Sequence, residues 1–225
     1  MDKKQMLLDI DMIDKMRSDM TAINCHSHTT IKYQDDILNL LQSEADSVSC
    51  DVIEVGCYLG GLTTQLSYAC AALGKRLHII DINIQYLNNT LHHMDRLGVD
   101  KNVLCFTGDL ETFLSTVRFG HPPLLIVIDG DHTYDGVIKD INAILKYQPQ
   151  TKHLVFHDFS LRYIQPELAN IRVDKAIQDS LGTLRPILPF GSEITEDALL
   201  ATSPVANGHF HELGTHEGAH IRLEL

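Results

Sequence analysis

Glu54, Asp81, Asp109, Asp129, Asp131, His132, His157 and Asp158 share one placement: each stands at, or just beyond, the end of a short apolar run. Carboxylates so placed accept hydrogen bonds from hydroxyls and pair with cations, each bond to a charged acceptor being worth roughly 1.5–3 kcal/mol. A histidine among them titrates near neutral pH and can take a proton from a bound substrate. Carboxylates and imidazoles together also form metal sites. Hydroxyl recognition, cation binding and proton transfer are therefore the chemistries this set allows. Five successive runs ending in such groups are hard to produce by chance.

The elements that must position them follow from periodicity. "DVIEVG" (51–56), "LHIIDI" (77–82), "VLCFT" (103–107), "LLIVID" (124–129) and "HLVFH" (153–157) read as buried strands. Between them Leu62, Leu66, Ala69 and Leu73, then Leu87, Leu91 and Met94, then Leu110, Phe113, Leu114 and Val117, then Val137, Ile141, Ile144 and Leu145 recur at helical spacing. Near-continuous apolar strands alternating with amphipathic helices imply a doubly wound α/β domain with a mainly parallel sheet. Two helices are expected ahead of it, one around "DMIDKM" and one carrying Ile37, Leu38, Leu41 and Ala45. A helix over 167–181 and a final antiparallel pair are expected after it. The organisation expected is one domain over 1–225: N-terminal helices and lid at 1–48, a core at 49–160, and a substrate-side helix with antiparallel strands at 161–225.

In such a sheet ligands bind beyond the carboxyl ends of the strands, where strand order reverses. The turn "DVIEVGCYLGGLTT" (51–64) lets a ligand approach backbone amides, and Asp81, at the end of the next strand, is suited to a ribose diol. That pair serves NAD and S-adenosylmethionine alike. The glycines, however, are Gly56, Gly60 and Gly61, not the G-x-G-x-x-G that seats a pyrophosphate. Tyr58 would obstruct a pyrophosphate, and Glu54 suits a cationic ligand. The turn favours the sulfonium nucleoside.

"VIEVGCYLGGLTT", "IIDIN", "FTGDLETFL", "LLIVIDGDHTYDGVIKDI" and "LVFHDF", over about residues 35 to 160, together resemble the class I S-adenosylmethionine-dependent methyltransferases. The resemblance is strongest to the small-molecule group related to the catechol, caffeoyl-CoA and macrolide-sugar O-methyltransferases. It implies a seven-stranded Rossmann-like methyltransferase fold with an N-terminal helical extension, and S-adenosylmethionine as cofactor. It also implies a cofactor site made of Glu54, Gly56, Tyr58, Gly60, Gly61, Asp81, Ile82, Asp109, Leu110 and Asp129, with Asp109 taking the adenine amine. In the catechol-type enzymes an aspartate, a lysine three residues on, and an Asp-Asn pair hold Mg²⁺ and supply the base. Asp129 and Asp158 match the aspartates, and His132 falls at the lysine position. The resemblance therefore implies Asp129, His132 and Asp158 as catalytic residues, with His132 as base. Phe159 replaces the asparagine ligand, so a site for Mg²⁺ or another divalent metal would be built from Asp129, Asp158 and His157.

The reaction expected is methyl transfer to a small-molecule hydroxyl in natural-product or sugar modification. The competing readings are a nucleotide-dependent oxidoreductase on the same fold and a cofactor-binding protein without catalysis. Bulk properties narrow the partners. The 225 residues carry a formal net charge of −12, which argues against nucleic acid and anionic membranes. No run approaches the roughly 18 apolar residues of a membrane span, and the acidic N-terminal stretch lacks a signal-peptide apolar region. The five cysteines form no C-x-x-C pair and read as reduced thiols. A cytoplasmic homodimer or higher homo-oligomer is expected. Of the 13 histidines, "CHSH" (25–28) is a candidate lid segment, and those of "GHFHELGTHEGAH" (208–220) read as a solvated hairpin. Arg162 and Arg172 are candidates for a basic patch facing an anionic substrate.

Overall fold

The computed structural model describes residues 8–159, 168–182, 185–193 and 216–223. Two helices, α1 (Ile10–Ala22) and α2 (Ile31–Ser43), lead into an alternating series. It runs β1 (Asp51–Val55), α3 (Gly61–Ala72), β2 (Arg76–Asp81), α4 (Ile84–Leu97), β3 (Val103–Thr107), α5 (Leu110–Thr116), β4 (Leu125–Ile128), α6 (Tyr134–Tyr147) and β5 (His153–Phe156). Helix α7 (Val173–Ser180) and strands β6 (Leu188–Glu193) and β7 (His216–Arg222) follow. The helix starts are set by side chains that accept from orphan backbone amides: Asp9, Thr30, Asn83, Asp109 and Thr133 cap α1, α2, α4, α5 and α6.

These strands form one sheet of order β3-β2-β1-β4-β5-β7-β6. The first five strands pair in parallel, and β7 lies antiparallel to both β5 and β6. Strand order reverses between β1 and β4. Alternation of side chains along each strand sends successive residues to opposite faces. One face packs Val52, Leu77, Ile79, Val127 and Val155 under α1 to α4; the other packs Ile53, Ile80, Ile126, Leu154 and Phe156 under α5 to α7. Both faces being covered, β1, β4 and β5 have every side chain buried.

Three expectations need adjusting. The "VLCFT" strand was expected buried, but β3 is an edge: Leu104 is 55% exposed and Cys105 is exposed. Helix α2 begins at Ile31, where the Thr30 hydroxyl accepts from Tyr33 N, and it ends at Ser43, short of Ala45. Helix α7 begins only at Val173, after a turn whose Thr133–Ile171 bridge and Arg172 N→His132 O bond (2.9 Å) tie it to the start of α6. Arg162, His209 and His211 lie outside the described residues. Among the described residues no helix is long and apolar enough to cross a membrane.

Candidate active site

A cavity of about 750 Å³ opens at the carboxyl ends of β1, β2 and β4, at the reversal of strand order. Its near wall is the glycine turn. Gly56 holds φ +86°, and a Cβ there would lie 2.2 Å from the Asp129 carbonyl oxygen, so the turn and the end of β4 fit together only without a side chain. Tyr58, also at positive φ (46°), lines the cavity with its ring 4.3 Å from that of His28 and edge-on to Tyr86. Gly60 and Gly61, expected in the cofactor site, are not part of the cavity wall. Gly60 is the left-handed N-cap of α3 against Thr90, and Gly61 packs on the His26–Ser27 backbone, donating to His26 O at 2.9 Å. That contact brings the "CHSH" segment over the turn, and Ser27 and His28 join the wall.

The acidic groups divide by how their oxygens are engaged. Glu54 is 1% exposed, and its Oε2 has no hydrogen-bond partner among the described residues. Burial pushes its carboxyl up to about 8, with Asp129 and Asp81 adding to the shift. An unpaired buried carboxyl of this kind suits a cationic ligand group. Asp81 accepts from Cys57 N (3.0 Å) and Asn83 N (2.8 Å), which aligns its carboxylate with the turn while leaving further lone pairs toward the cavity. Ile82, beside it, lines the cavity yet is 78% exposed. Asp109 caps α5 through Thr112 N (2.8 Å) and pairs with Lys139 (2.6 Å), and these bonds hold it down at about 2. Leu110 is fully buried behind it. Asp131 accepts from Thr133 N (2.9 Å), ordering the loop.

At the far end four side chains meet. His132 Nδ1 lies 2.6 Å from Asp158 Oδ2, while its Nε2 makes only a charge contact, 3.3 Å, with Asp129 Oδ1 and no hydrogen bond. His157 puts Nδ1 at 2.9 Å from Asp129 Oδ1 and 3.2 Å from Asp158 Oδ1, and Nε2 at 3.2 Å from Glu217 Oε1. Asp158 holds a positive φ of 55° to face them, a strained conformation of the kind that collects at functional sites. Burial alone would lower both imidazoles; the carboxylates overcome it, holding His132 up at about 10 and His157 well above the usual range. Asp129 is drawn below the usual range, because the two histidines outweigh its burial. One donor atom from each of Asp129, His132 and Asp158 lies within 4.8 Å of the others, a cluster able to hold a metal. His157, expected as the third ligand, has both ring nitrogens engaged by carboxylates, so His132 takes its place in that donor set.

Several site residues carried no signal in the sequence reading. Glu217 on β7 is fully buried and accepts from Thr30 N (2.7 Å), the Thr30 hydroxyl, Ser192 N (3.3 Å) and His157. It joins the C-terminal strands and the start of α2 to the cluster, a contact no local pattern could announce. Tyr33 is buried with its ring 5.1 Å from that of His157. Asp140 did leave a trace: it is an acid on the apolar stripe formed by Val137, Ile141 and Ile144.

Residues 53–159 match the family model of a methyltransferase domain. An O-methyltransferase from Bacillus cereus, solved in complex with S-adenosylhomocysteine, aligns at TM-score 0.61 and 15% identity, over 96% of this chain and 92% of its own. The O-methyltransferase TomG from Streptomyces achromogenes, involved in tomaymycin synthesis and solved with S-adenosylmethionine, aligns at TM-score 0.59 and 15% identity, over 98% and 89%. A curated "Probable cobalt-precorrin-6B C(15)-methyltransferase (decarboxylating)" from Methanococcus vannielii is 21% identical over 155 residues, 68% of this chain and 77% of its own. The point where strand order reverses between β1 and β4, the glycine turn and the acidic strand ends all fall within the span that matches a methyltransferase domain, and the fold is the Rossmann-like one of these methyltransferases.

Proposed function

We propose that this methyltransferase moves its methyl group to a hydroxyl oxygen of a small molecule, of natural-product or sugar type, with His132 receiving the hydroxyl proton. One observation carries the reading: His132 is anchored through Nδ1 to Asp158 at 2.6 Å and presents Nε2, 3.3 Å from Asp129, in the wall of the cofactor cavity. Methyl transfer would form the oxygen–methyl bond as the cofactor's carbon–sulfur bond breaks, releasing S-adenosylhomocysteine, with Nε2 of His132 receiving the hydroxyl proton. Asp158 orients the ring and Asp129 stabilises the charge that forms. At the cofactor end, Glu54 would take the methionine ammonium, Asp81 the ribose hydroxyls, and Ile82 and Leu110 the purine, with Gly56 and Tyr58 on the side of the sulfonium.

The donor set of Asp129, His132 and Asp158 also fits a divalent cation, and with His132 on that cation its ring would not take the hydroxyl proton, so the two readings are alternatives. Such a cation would polarise the substrate hydroxyl.

The test is product analysis with ¹³C-methyl S-adenosylmethionine and a panel of phenols, catechols and sugars. The expected product is a methyl ether. His132→Ala should bind S-adenosylhomocysteine as the parent does and lose roughly 10²–10⁴-fold in turnover. A methyl group on carbon, the chemistry in the name of the Methanococcus relative, would overturn the oxygen assignment. Undiminished turnover in His132→Ala would overturn the base.

A further inference from the structure

His157 and Glu217 are buried ionisable groups that the reaction above leaves without a task. Glu217, on β7, is fully buried and is not part of the cavity wall. Its oxygens serve two kinds of donor. Thr30 N (2.7 Å), the Thr30 hydroxyl and Ser192 N (3.3 Å) are neutral, and an uncharged acceptor would serve them at less cost of burial. The remaining donor is Nε2 of His157, at 3.2 Å, the one cationic partner of Glu217 among the described residues. A buried carboxylate persists when it is paired with a cation and fully hydrogen-bonded. The charge at this position is therefore addressed to the imidazole.

The imidazole in turn is addressed to the site. Nδ1 of His157 lies 2.9 Å from Asp129 Oδ1 and 3.2 Å from Asp158 Oδ1, so carboxylate oxygens, which only accept, face both nitrogens and the ring donates from each. Tyr33 stands edge-on to the ring, centroids 5.1 Å apart, and fixes its plane. Strand β7 is fitted to Tyr33 as well. A Cβ at Gly218 would lie 2.5 Å from both the Tyr33 ring and the Phe156 carbonyl oxygen, so the close packing of β7 seats Glu217 beside it. The oxygen that His157 holds, Asp129 Oδ1, is the same one that lies 3.3 Å from Nε2 of His132.

We propose that Glu217 is a positioning residue for methyl transfer, acting through His157 to hold the Asp129 carboxylate against the ring of His132. This rests on the reading of Asp129 and His132 as the reacting end. Without a carboxylate at Nε2, the ring of His157 is free to turn or to exist as the tautomer bare at Nδ1. Either change takes the donor away from Asp129, just as the outer partners of a ligating histidine fix its tautomer and orientation. A displacement of about 1 Å at a reacting centre costs up to about 100-fold in rate. The C-terminal strand thus reaches the chemistry through one side chain that never touches substrate.

Two measurements on the full chain test this, the first independent of any acceptor. In protein labelled with ¹⁵N-histidine, Glu217→Leu and Glu217→Gln should each shift the ring signals of His132, three contacts away through His157 and Asp129. In a His157→Asn background the same substitutions should leave those signals in place. In turnover of the best acceptor among the phenols, catechols and sugars, Glu217→Leu should lower kcat by about 10- to 100-fold while binding S-adenosylhomocysteine as the parent does. Glu217→Gln, which keeps the shape and an acceptor oxygen, should lose less. Adding Glu217→Leu to His157→Asn should slow the enzyme no further, because residues that act through one another are not additive. Thermal melts check folding, and Glu217→Gln carries the comparison if Glu217→Leu is unstable. Additive losses, or His132 signals unmoved by both Glu217 variants, would overturn the inference and leave the proposed reaction intact. Undiminished turnover in His132→Ala would overturn the reading of the reacting end beneath it.

Discussion

At His132 two effects oppose each other. Burial favours the neutral ring, whereas Asp129 and Asp158 favour the imidazolium and hold the group up at about 10. A base must be neutral to accept a proton, so this histidine becomes competent only toward alkaline pH. An arriving sulfonium offsets part of the carboxylate attraction and moves that point downward. Turnover at saturating substrate should therefore rise with pH from neutrality, with its midpoint between about 6.5, the unperturbed value, and about 10. A pH–rate profile checks this, and a profile flat over that range would remove His132 from the proton transfer. The residue proposed as base was nameable from the sequence, because His132 falls three residues after Asp129 at a strand end. The state of its ring was not, since that depends on Asp158, brought within 2.6 Å only by the pairing of β4 with β5.

The strand–helix alternation was readable as elements because their apolar spacing is local information. What each element contacts was not. Gly60 and Gly61 read as ligand-facing from their type, yet the fold spends them on Thr90 and on the His26–Ser27 backbone. The same turn holds a glycine that packing itself demands. At Gly56 an added Cβ meets the Asp129 carbonyl oxygen, and the backbone is already left-handed. Gly56→Ala should destabilise the fold by roughly 3 kcal/mol or more, read as a shift in the denaturation midpoint, and should abolish S-adenosylhomocysteine binding. A variant with parental stability and affinity would mean that the turn and β4 separate more easily than their packing implies. Strand β3, by contrast, looked buried because an edge strand in a parallel sheet keeps an apolar sequence, and only the order β3-β2-β1 reveals its exposure.

Across the whole molecule, the site is a meeting of distant parts. The segment between α1 and α2 contributes Ser27, His28 and Thr30, the parallel core contributes the acidic strand ends, and the C-terminal strand contributes Glu217. A ligand that binds only this assembled state raises the stability of the entire fold by mass action. The absence of a G-x-G-x-x-G turn, the unpaired Glu54 carboxyl and the positive-φ Tyr58 all speak for a cationic nucleoside over a dinucleotide. Thermal denaturation with S-adenosylhomocysteine and with NAD, each at about 100 times a micromolar dissociation constant, separates the two most directly. Stabilisation of about 2.7 kcal/mol by S-adenosylhomocysteine, with no shift by NAD, is the result predicted. A shift with NAD and none with S-adenosylhomocysteine would contradict the account.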